Sequence, residues 1–178
     1  AARKLHEILA GRRSPLVMCY RVHAGYLAPD HWVQGPEGGG RNLGEACHMY
    51  DLMRYLAGAP VRSIEATAIS AAPPVLRTDN FSATLGYEDG SLGTLVYTAL
   101  GPMGGPGKER LEIYGDGEAF LLDDFKRLVR QSNGAVLWES PEADKGHSIE
   151  LKETGERLKS GLGAPIEFEE LMEISTVT

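Results

Sequence analysis

The part of this sequence best suited to chemistry is the segment 38–51, in which three glycines and Arg41 lead into an acid, an imidazole and a second acid spaced three residues apart. In a helix with about 100° between successive residues, Glu45, His48 and Asp51 spread over an arc of roughly 120°, with His48 in the middle. A carboxylate beside an imidazole fixes its tautomer and raises its basicity, which suits a general base that accepts the proton of a hydroxyl group. The glycines allow the backbone to approach a ligand closely. The segment therefore predicts a proton-accepting site at the start of a helix.

The same spacing also fits a histidine with a purely structural role. A His48 that hydrogen-bonds to Asp51 matches it equally well, and the residues alone do not separate the two. A metal site is disfavoured because His48 has no second histidine one helical turn away. The dinucleotide fingerprint Gly-x-Gly-x-x-Gly does not match residues 38–44, 101–107 or 115–117. We therefore expect no metal site and no nucleotide-binding motif within this chain.

Hydrophobic periodicity predicts the elements that hold the site. An apolar stripe predicts one helix from Leu43 to Ala57 that ends at Gly58 and Pro60; its members are Leu43, Ala46, Cys47, Tyr50, Met53, Leu56 and Ala57. Further helices are predicted over 2–11, 147–160 and 167–175.

Short apolar or alternating runs predict strands, and long glycine-rich loops separate some of them. The predicted strands cover 16–22, 62–70, 81–87, 92–97, 109–114, 119–122, 127–131 and 135–138, and the loops cover 24–42 and 101–107. Asp-Gly and Asn-Gly pairs join neighbouring strands as hairpins. With helices towards the ends of the sequence, this order predicts an α+β fold in which an open, largely antiparallel mixed β-sheet carries helices packed on one face.

Composition limits the function classes. A chain of 178 residues predicts a single domain over 1–178, and its net charge of −7 argues against nucleic acid as a partner. The longest apolar run, 15–20, is far short of the ~20 residues that span a bilayer. Cys19 and Cys47 lie in apolar stretches, so we expect buried, reduced thiols and a cytoplasmic location.

A resemblance to a known family extends over nearly the whole sequence. The run Gly-Gly-Gly-Arg-x-x-Gly-Glu-Ala-Cys-His-x-x-Asp-x-x-Arg-Tyr-Leu-x-Gly-Ala-Pro, residues 38–60, resembles the signature helix of the glucose–fructose oxidoreductase / inositol dehydrogenase / MocA (Gfo/Idh/MocA) family. Residues 20–26 with 30–32 resemble that family's first strand and substrate-side loop, and residues 89–94 resemble its central hairpin. Residues 108–117 resemble its later strand and turn, and residues 145–147 with 161 and 165–168 resemble its closing helices.

The resemblance implies one half of a two-domain enzyme. Family members join an N-terminal Rossmann domain, which binds NAD or NADP, to a C-terminal domain that binds substrate and often forms oligomers through its sheet. This chain resembles the second domain only, so the Rossmann domain and its catalytic lysine in a Glu-Lys-Pro motif are missing. We therefore expect a fragment that binds no cofactor and is inactive by itself, and that forms a homo-oligomer through the sheet face. An uncovered sheet of this size would otherwise expose a large apolar patch.

By the same resemblance, His48 matches the family's catalytic histidine, which accepts the proton of the hydroxyl being oxidised while hydride passes to nicotinamide. Asp51 matches an acidic residue with an orienting role. Many relatives carry aspartate four residues before the histidine, where this chain has Gly44, and whether the neighbouring Glu45 replaces it stays open.

Substrate contacts are expected from the loop before the helix. Tyr26, His31 and Trp32 suit the faces and hydroxyls of a sugar or polyol, and Arg41 is assigned to the same role. A loop anchored by packing of Trp32 is the alternative.

Three functions follow in order of preference. The first is the substrate-binding domain of an NAD(P)-dependent dehydrogenase acting on a sugar, polyol or related hydroxyl compound. The second is a non-catalytic ligand-binding or dimerisation module with the same fold. The third is a hydrolase, which lacks a recognisable Ser or Cys nucleophile.

Overall fold

A computed structural model describes residues 1–70, 72, 75–102 and 107–178. In this part of the chain, eight strands form one sheet in the order β2-β3-β4-β1-β5-β6-β7-β8. The strands are β1 (Val17–His23), β2 (Val61–Ala68), β3 (Asn80–Tyr87), β4 (Leu92–Thr98), β5 (Glu109–Gly115), β6 (Glu118–Asp123), β7 (Arg127–Arg130) and β8 (Ala135–Glu139). The helices are α1 (Ala2–Leu9), α2 (Cys47–Ala57), α3 (His147–Lys159) and α4 (Phe168–Val177).

The first strand lies in the middle of the sheet. It pairs in parallel with β4, where Val17 lies opposite Leu92, and antiparallel with β5, where Val17 lies opposite Tyr114. Parallel neighbours need a long crossover, which α2 and the β2–β3–β4 meander provide. The other neighbouring pairs of the described sheet are antiparallel. The predicted α+β fold with an open, largely antiparallel mixed sheet is therefore confirmed.

Helix α2 packs its apolar side into the core. Its buried residues are Met49, Tyr50, Met53, Leu56 and Ala57, and Gly58 ends it in the left-handed conformation at φ 61°. The predicted start at Leu43 is wrong for the α-helix, because Asn42–Ala46 forms a π-helical turn that precedes it. The wider turn changes the direction of the side chains, and Leu43 is consequently exposed.

The two faces of the sheet differ in their cover. The inner face carries the core and the packed helices, with Met18, Leu85 and Leu95 fully buried. The outer face, called the open face below, has no helix over it among the described residues. Large apolar residues exposed on it are Val17, Leu92, Val96, Tyr114 and Val136. Cys19 also lies there and is exposed, which corrects the expectation that both thiols are buried; both cysteines are free.

Strand β2 is at the edge of the sheet and is more exposed than its alternating pattern suggested. Most of its residues are exposed, and Ile64, Ala66 and Ala68 line a cavity of about 670 Å³, which Tyr50 of α2 and Val177 of α4 also border. Within the predicted 24–42 loop, Trp32–Gln34 forms a single 3-10 turn. Residues 103–106 of the predicted 101–107 loop lie outside the described residues. In the described chain, no helix has both the length and the apolar composition to cross a membrane.

Candidate active site

The predicted site lies at the edge of the sheet where β1 and β4 end and β5 begins. His23 and Thr98 close these parallel strands side by side, and the His23 amide donates to the carbonyl of Lys108 at 2.8 Å. The π-helical turn contacts the same edge, because its Glu45 bonds to Tyr97 and Lys108.

Glu45 is the centre of a polar group that joins this edge to the π-helical turn; we call Arg41, Glu45, Tyr97 and Lys108 the Glu45 network. The Tyr97 hydroxyl and the Arg41 guanidinium donate to Oε2 of Glu45, the latter over 3.1 Å, and Lys108 Nζ donates to Oε1. Burial opposes the charge of Glu45, but the hydrogen bonds from Lys108 and Tyr97 and the charge of Arg41 hold its pKa below the usual range. Both carboxylate oxygens are therefore occupied, and Glu45 is an ionised acceptor.

His48 is the second residue of α2 and its side chain is exposed. Asp51 lies one turn later and is half-buried. Burial raises the pKa of Asp51, and the charges of His48 and Arg54 partly offset this effect. In the described chain, no hydrogen bond joins the His48 ring to the Asp51 carboxylate. The structure therefore does not show the alternative, a structural histidine bonded to Asp51. The imidazole is open to a ligand that approaches the start of α2.

The loop of residues 24–34, called the aromatic loop below, carries the three predicted substrate residues. The side chains of Trp32 and Tyr26 point outwards, with 66% and 51% of their surfaces exposed. His31 Nδ1 accepts the Val33 amide at 3.3 Å, which leaves its other ring nitrogen free, and its ring lies 6.0 Å from that of Trp32. A tryptophan exposed to this degree does not anchor the loop by packing, so that alternative is wrong.

Two buried polar contacts attach this loop to the rest of the site. Arg41, only 5% exposed, donates to the carbonyl of Gly25 at 2.8 Å and to the carbonyl of Ala24 at 3.3 Å. Gln34 Nε2 donates to Oδ2 of the buried Asp79 at 2.6 Å. Burial raises the pKa of Asp79, whereas the bond from Gln34 and the charge of Arg41 act in the opposite direction.

The structure thus brings some predicted residues into contact and connects others indirectly. Arg41 bonds directly to Glu45, and through the carbonyl of Gly25 it links the aromatic loop to the helix that carries His48. Tyr97, Lys108 and Asp79 were not predicted from the sequence. Tyr97 and Asp79 fall in or beside strand patterns, where nothing in the sequence marks a buried polar contact.

The described residues contain neither a cluster of metal ligands nor a tight glycine turn between a strand and a helix. No three His, Cys, Asp or Glu side chains among them form a metal-binding group. The segment between β1 and α2 is the long aromatic loop followed by the π-helical turn, in contrast to the tight glycine turn that holds a pyrophosphate at a helix N-terminus. These residues do not fit a dinucleotide.

Comparison with known proteins identifies the relatives of this chain. The profile of the GFO/IDH/MocA C-terminal domain matches residues 4–120. No curated protein is similar enough in sequence to count as a match.

Several solved structures share the fold. An aldose-aldose oxidoreductase from Caulobacter crescentus, complexed with glycerol, is 15% identical with a TM-score of 0.75, covering 99% of this chain and 55% of its own. An oxidoreductase from Agrobacterium radiobacter, in complex with NAD+, L-tartaric acid and magnesium, is 14% identical with a TM-score of 0.72, covering 99% and 56%. The WlbA dehydrogenase from Bordetella pertussis, in complex with NADH and UDP-GlcNAcA, is 18% identical with a TM-score of 0.68, covering 98% and 54%. This chain therefore spans slightly more than half the length of these structures.

Proposed function

Because the chain belongs to the GFO/IDH/MocA C-terminal domain family, we propose that it is the substrate-binding domain of an NAD(P)-dependent oxidoreductase that oxidises a hydroxyl group of a sugar, polyol or related compound. The observation that carries this proposal is the exposed imidazole of His48 at the start of α2, one turn before the half-buried carboxylate of Asp51. Solved structures of the same fold include oxidoreductases in complex with NAD+ or NADH, which supports a nicotinamide cofactor.

In this proposal His48 accepts the proton of the substrate hydroxyl. The dinucleotide, bound by a Rossmann domain outside these residues, would accept the hydride. Asp51 attracts the imidazolium that forms and orients the ring, because its half-buried carboxylate lies one turn further along the same helix. The isolated 178-residue chain is expected to be inactive.

Glu45 has a different role from that of a proton acceptor. Its two oxygens already accept from Lys108, Tyr97 and Arg41, and its pKa is lowered by these partners although burial opposes its charge. We assign to it the function of holding Lys108 and the start of α2 against the sheet edge. It replaces the aspartate of many relatives as a fixed negative charge.

The outward-facing aromatic and imidazole groups of the aromatic loop are assigned to substrate. Trp32 and Tyr26 present faces on which the C–H surface of a sugar packs, and His31 presents a free ring nitrogen to a hydroxyl. Arg41 is nearly fully buried with its donors directed to the protein, so we assign it to positioning this loop and not to direct contact with substrate.

The test replaces His48 by Asn in the intact protein and measures turnover of D-glucose and myo-inositol with NAD+ and NADP+. Loss of a general base lowers kcat by about 10²–10⁴-fold. The matched control is His147→Asn, since His147 is also an exposed histidine in the first turn of a helix. Normal turnover by H48N would overturn the proposal. Ligand binding by a wild-type protein that turns over neither compound would favour the non-catalytic module.

The open face supports a second part of the proposal, a homo-oligomer. Val17 and Leu92 lie opposite one another on the central strands β1 and β4, Val96 lies four residues further along β4 on the same face, and nearly half of each side chain is exposed. Exposed apolar side chains on an uncovered sheet face are typical of an interface. We expect a dimer in sedimentation equilibrium, and Val96→Asp to give monomer. A wild-type chain that sediments as monomer at all concentrations would contradict this part.

A further inference from the structure

Asp79 is a buried acid that the mechanism above does not use. It ends a single 3-10 turn directly before β3, and only 2% of its surface is exposed. Its Oδ2 accepts from Gln34 of the aromatic loop at 2.6 Å. Its Oδ1 is buried without a hydrogen-bond partner in the described part of the chain.

An acid in such a place is costly, so its presence calls for a function. Removing a carboxylate from water without full pairing destabilises a fold, and an apolar residue would avoid that cost. The charged groups that face Asp79 are Arg41, which favours its ionised form, and Glu45, which opposes it. The contact that Asp79 does make is to the loop, through the side chain of Gln34.

The two largest side chains of the aromatic loop do little to hold it in place. Trp32 and Tyr26 are mostly exposed, so they contribute little packing against the protein. The loop is attached instead at its two ends, by Arg41 at Gly25 and by Asp79 at Gln34. Gln34 is the last residue of the 3-10 turn that begins with Trp32, so a contact at Gln34 restrains the backbone of the turn that carries Trp32.

We propose that Asp79 is a positioning residue that orders the aromatic loop and thereby holds Trp32 in place for a sugar or polyol. The part that concerns substrate rests on the proposed function; the part that concerns loop order does not. A loop ordered before binding loses less conformational freedom when substrate arrives, which raises affinity without new contacts.

The first experiment measures the order of Trp32 directly and needs no turnover. The chain has two tryptophans, so Trp138→Phe leaves Trp32 as the single tryptophan. In this background, time-resolved fluorescence anisotropy of Asp79→Ala should show loss of the slow component as the indole moves independently of the protein. Asp79→Asn should keep it, because the amide oxygen still accepts from Gln34.

A control separates loop order from general loss of stability. Ser91 is also a buried polar residue, but it lies at the opposite end of the sheet, where its hydroxyl accepts from the Leu16 amide at 2.8 Å. Ser91→Ala should destabilise the chain and leave the anisotropy of Trp32 unchanged. An unchanged anisotropy in folded D79A would overturn the proposal, and so would an equal loss in S91A.

The second experiment uses the intact protein with D-glucose and myo-inositol as probe substrates. Asp79→Ala should raise KM roughly tenfold with little change in kcat, because the loop contributes to binding in the ground state and the transition state alike. The increase should vanish in a Trp32→Ala background, and full additivity of the two substitutions would overturn the proposal. If the wild type turns over neither probe, the proposed function fails, and the anisotropy measurement still decides whether Asp79 orders the loop.

Discussion

The Glu45 network makes a sharp prediction about two buried tyrosines. Tyr97 and Tyr87 both lie on the inner face of the sheet and are almost completely buried. The Tyr97 hydroxyl donates to Glu45 and accepts from Arg41 Nη1 at 3.1 Å. The Tyr87 hydroxyl has no hydrogen-bond partner in the described residues. Replacing either tyrosine by Phe removes the hydroxyl oxygen, which is hydrogen-bonded in Tyr97 and has no partner among the described residues in Tyr87.

The expected magnitudes follow from the partners. A hydrogen bond to a charged group contributes about 1.5–3 kcal/mol, so Tyr97→Phe should lower the free energy of unfolding by about that amount. The ring still stacks on Phe81 at 5.2 Å, so the loss reports the hydroxyl. Tyr87→Phe should be neutral or stabilise by about 1 kcal/mol, because an unpaired buried hydroxyl carries a desolvation penalty.

Urea unfolding of the 178-residue chain, followed by circular dichroism, measures both changes. For a chain of this size, the loss in Y97F corresponds to a decrease in Tm of roughly 3–12 °C. Equal decreases in the free energy of unfolding of Y97F and Y87F would contradict this prediction. They would show that the Glu45 network contributes nothing to stability beyond the packing of the ring.

Two further outcomes are expected from the same structure. Since the folded-state pKa of Glu45 is lowered, its contribution to stability is present above about pH 4.5 and is lost as the pH falls. The difference in unfolding free energy between wild type and Glu45→Gln should therefore shrink between pH 7 and pH 3. A difference that stays constant over this range would contradict the prediction. Gly38→Ala should destabilise the fold by about 1–3 kcal/mol, because the added Cβ would lie 2.4 Å from the Cα of Val33. Gly11→Ala should not destabilise it, because the added Cβ would have no atom within 4 Å. Thermal unfolding compares the two variants, and equal Tm values would contradict the prediction.

Elements with a strong periodic pattern could be predicted from the sequence, and irregular ones could not. The hairpin around Asp89-Gly90 was confirmed because a turn with positive φ leaves few alternatives, and Gly90 has φ 86°. The π-helical turn was missed because its residues continue the apolar spacing of α2. No local sequence feature distinguishes a π-helical turn, with hydrogen bonds between residues five apart, from an α-helical turn, with hydrogen bonds between residues four apart.

The candidate site divides in the same way. The direction of Asp51 relative to His48 follows from spacing along α2, whereas Glu45 lies in the π-helical turn before it, so its direction did not follow from the predicted helix. Two partners of Glu45, Tyr97 and Lys108, lie 52 and 63 residues away along the chain, and the contact between Gln34 and Asp79 joins residues 45 positions apart. Such contacts depend on strand order, and β1 lies between β4 and β5 only after the whole sheet has formed. The exposure of Cys19 has the same origin, since an apolar neighbourhood in sequence does not tell which face of a sheet remains uncovered.

The central claim is that the imidazole of His48 meets the reacting hydroxyl. The most direct measurement is a crystal structure of the intact protein with NAD+ and a polyol that it oxidises. A ring nitrogen of His48 is expected about 2.6–3.2 Å from the hydroxyl oxygen on the carbon that faces the nicotinamide. A bound polyol whose reacting hydroxyl contacts a different base, with the His48 ring turned away from it, would contradict the role of His48 as the proton acceptor.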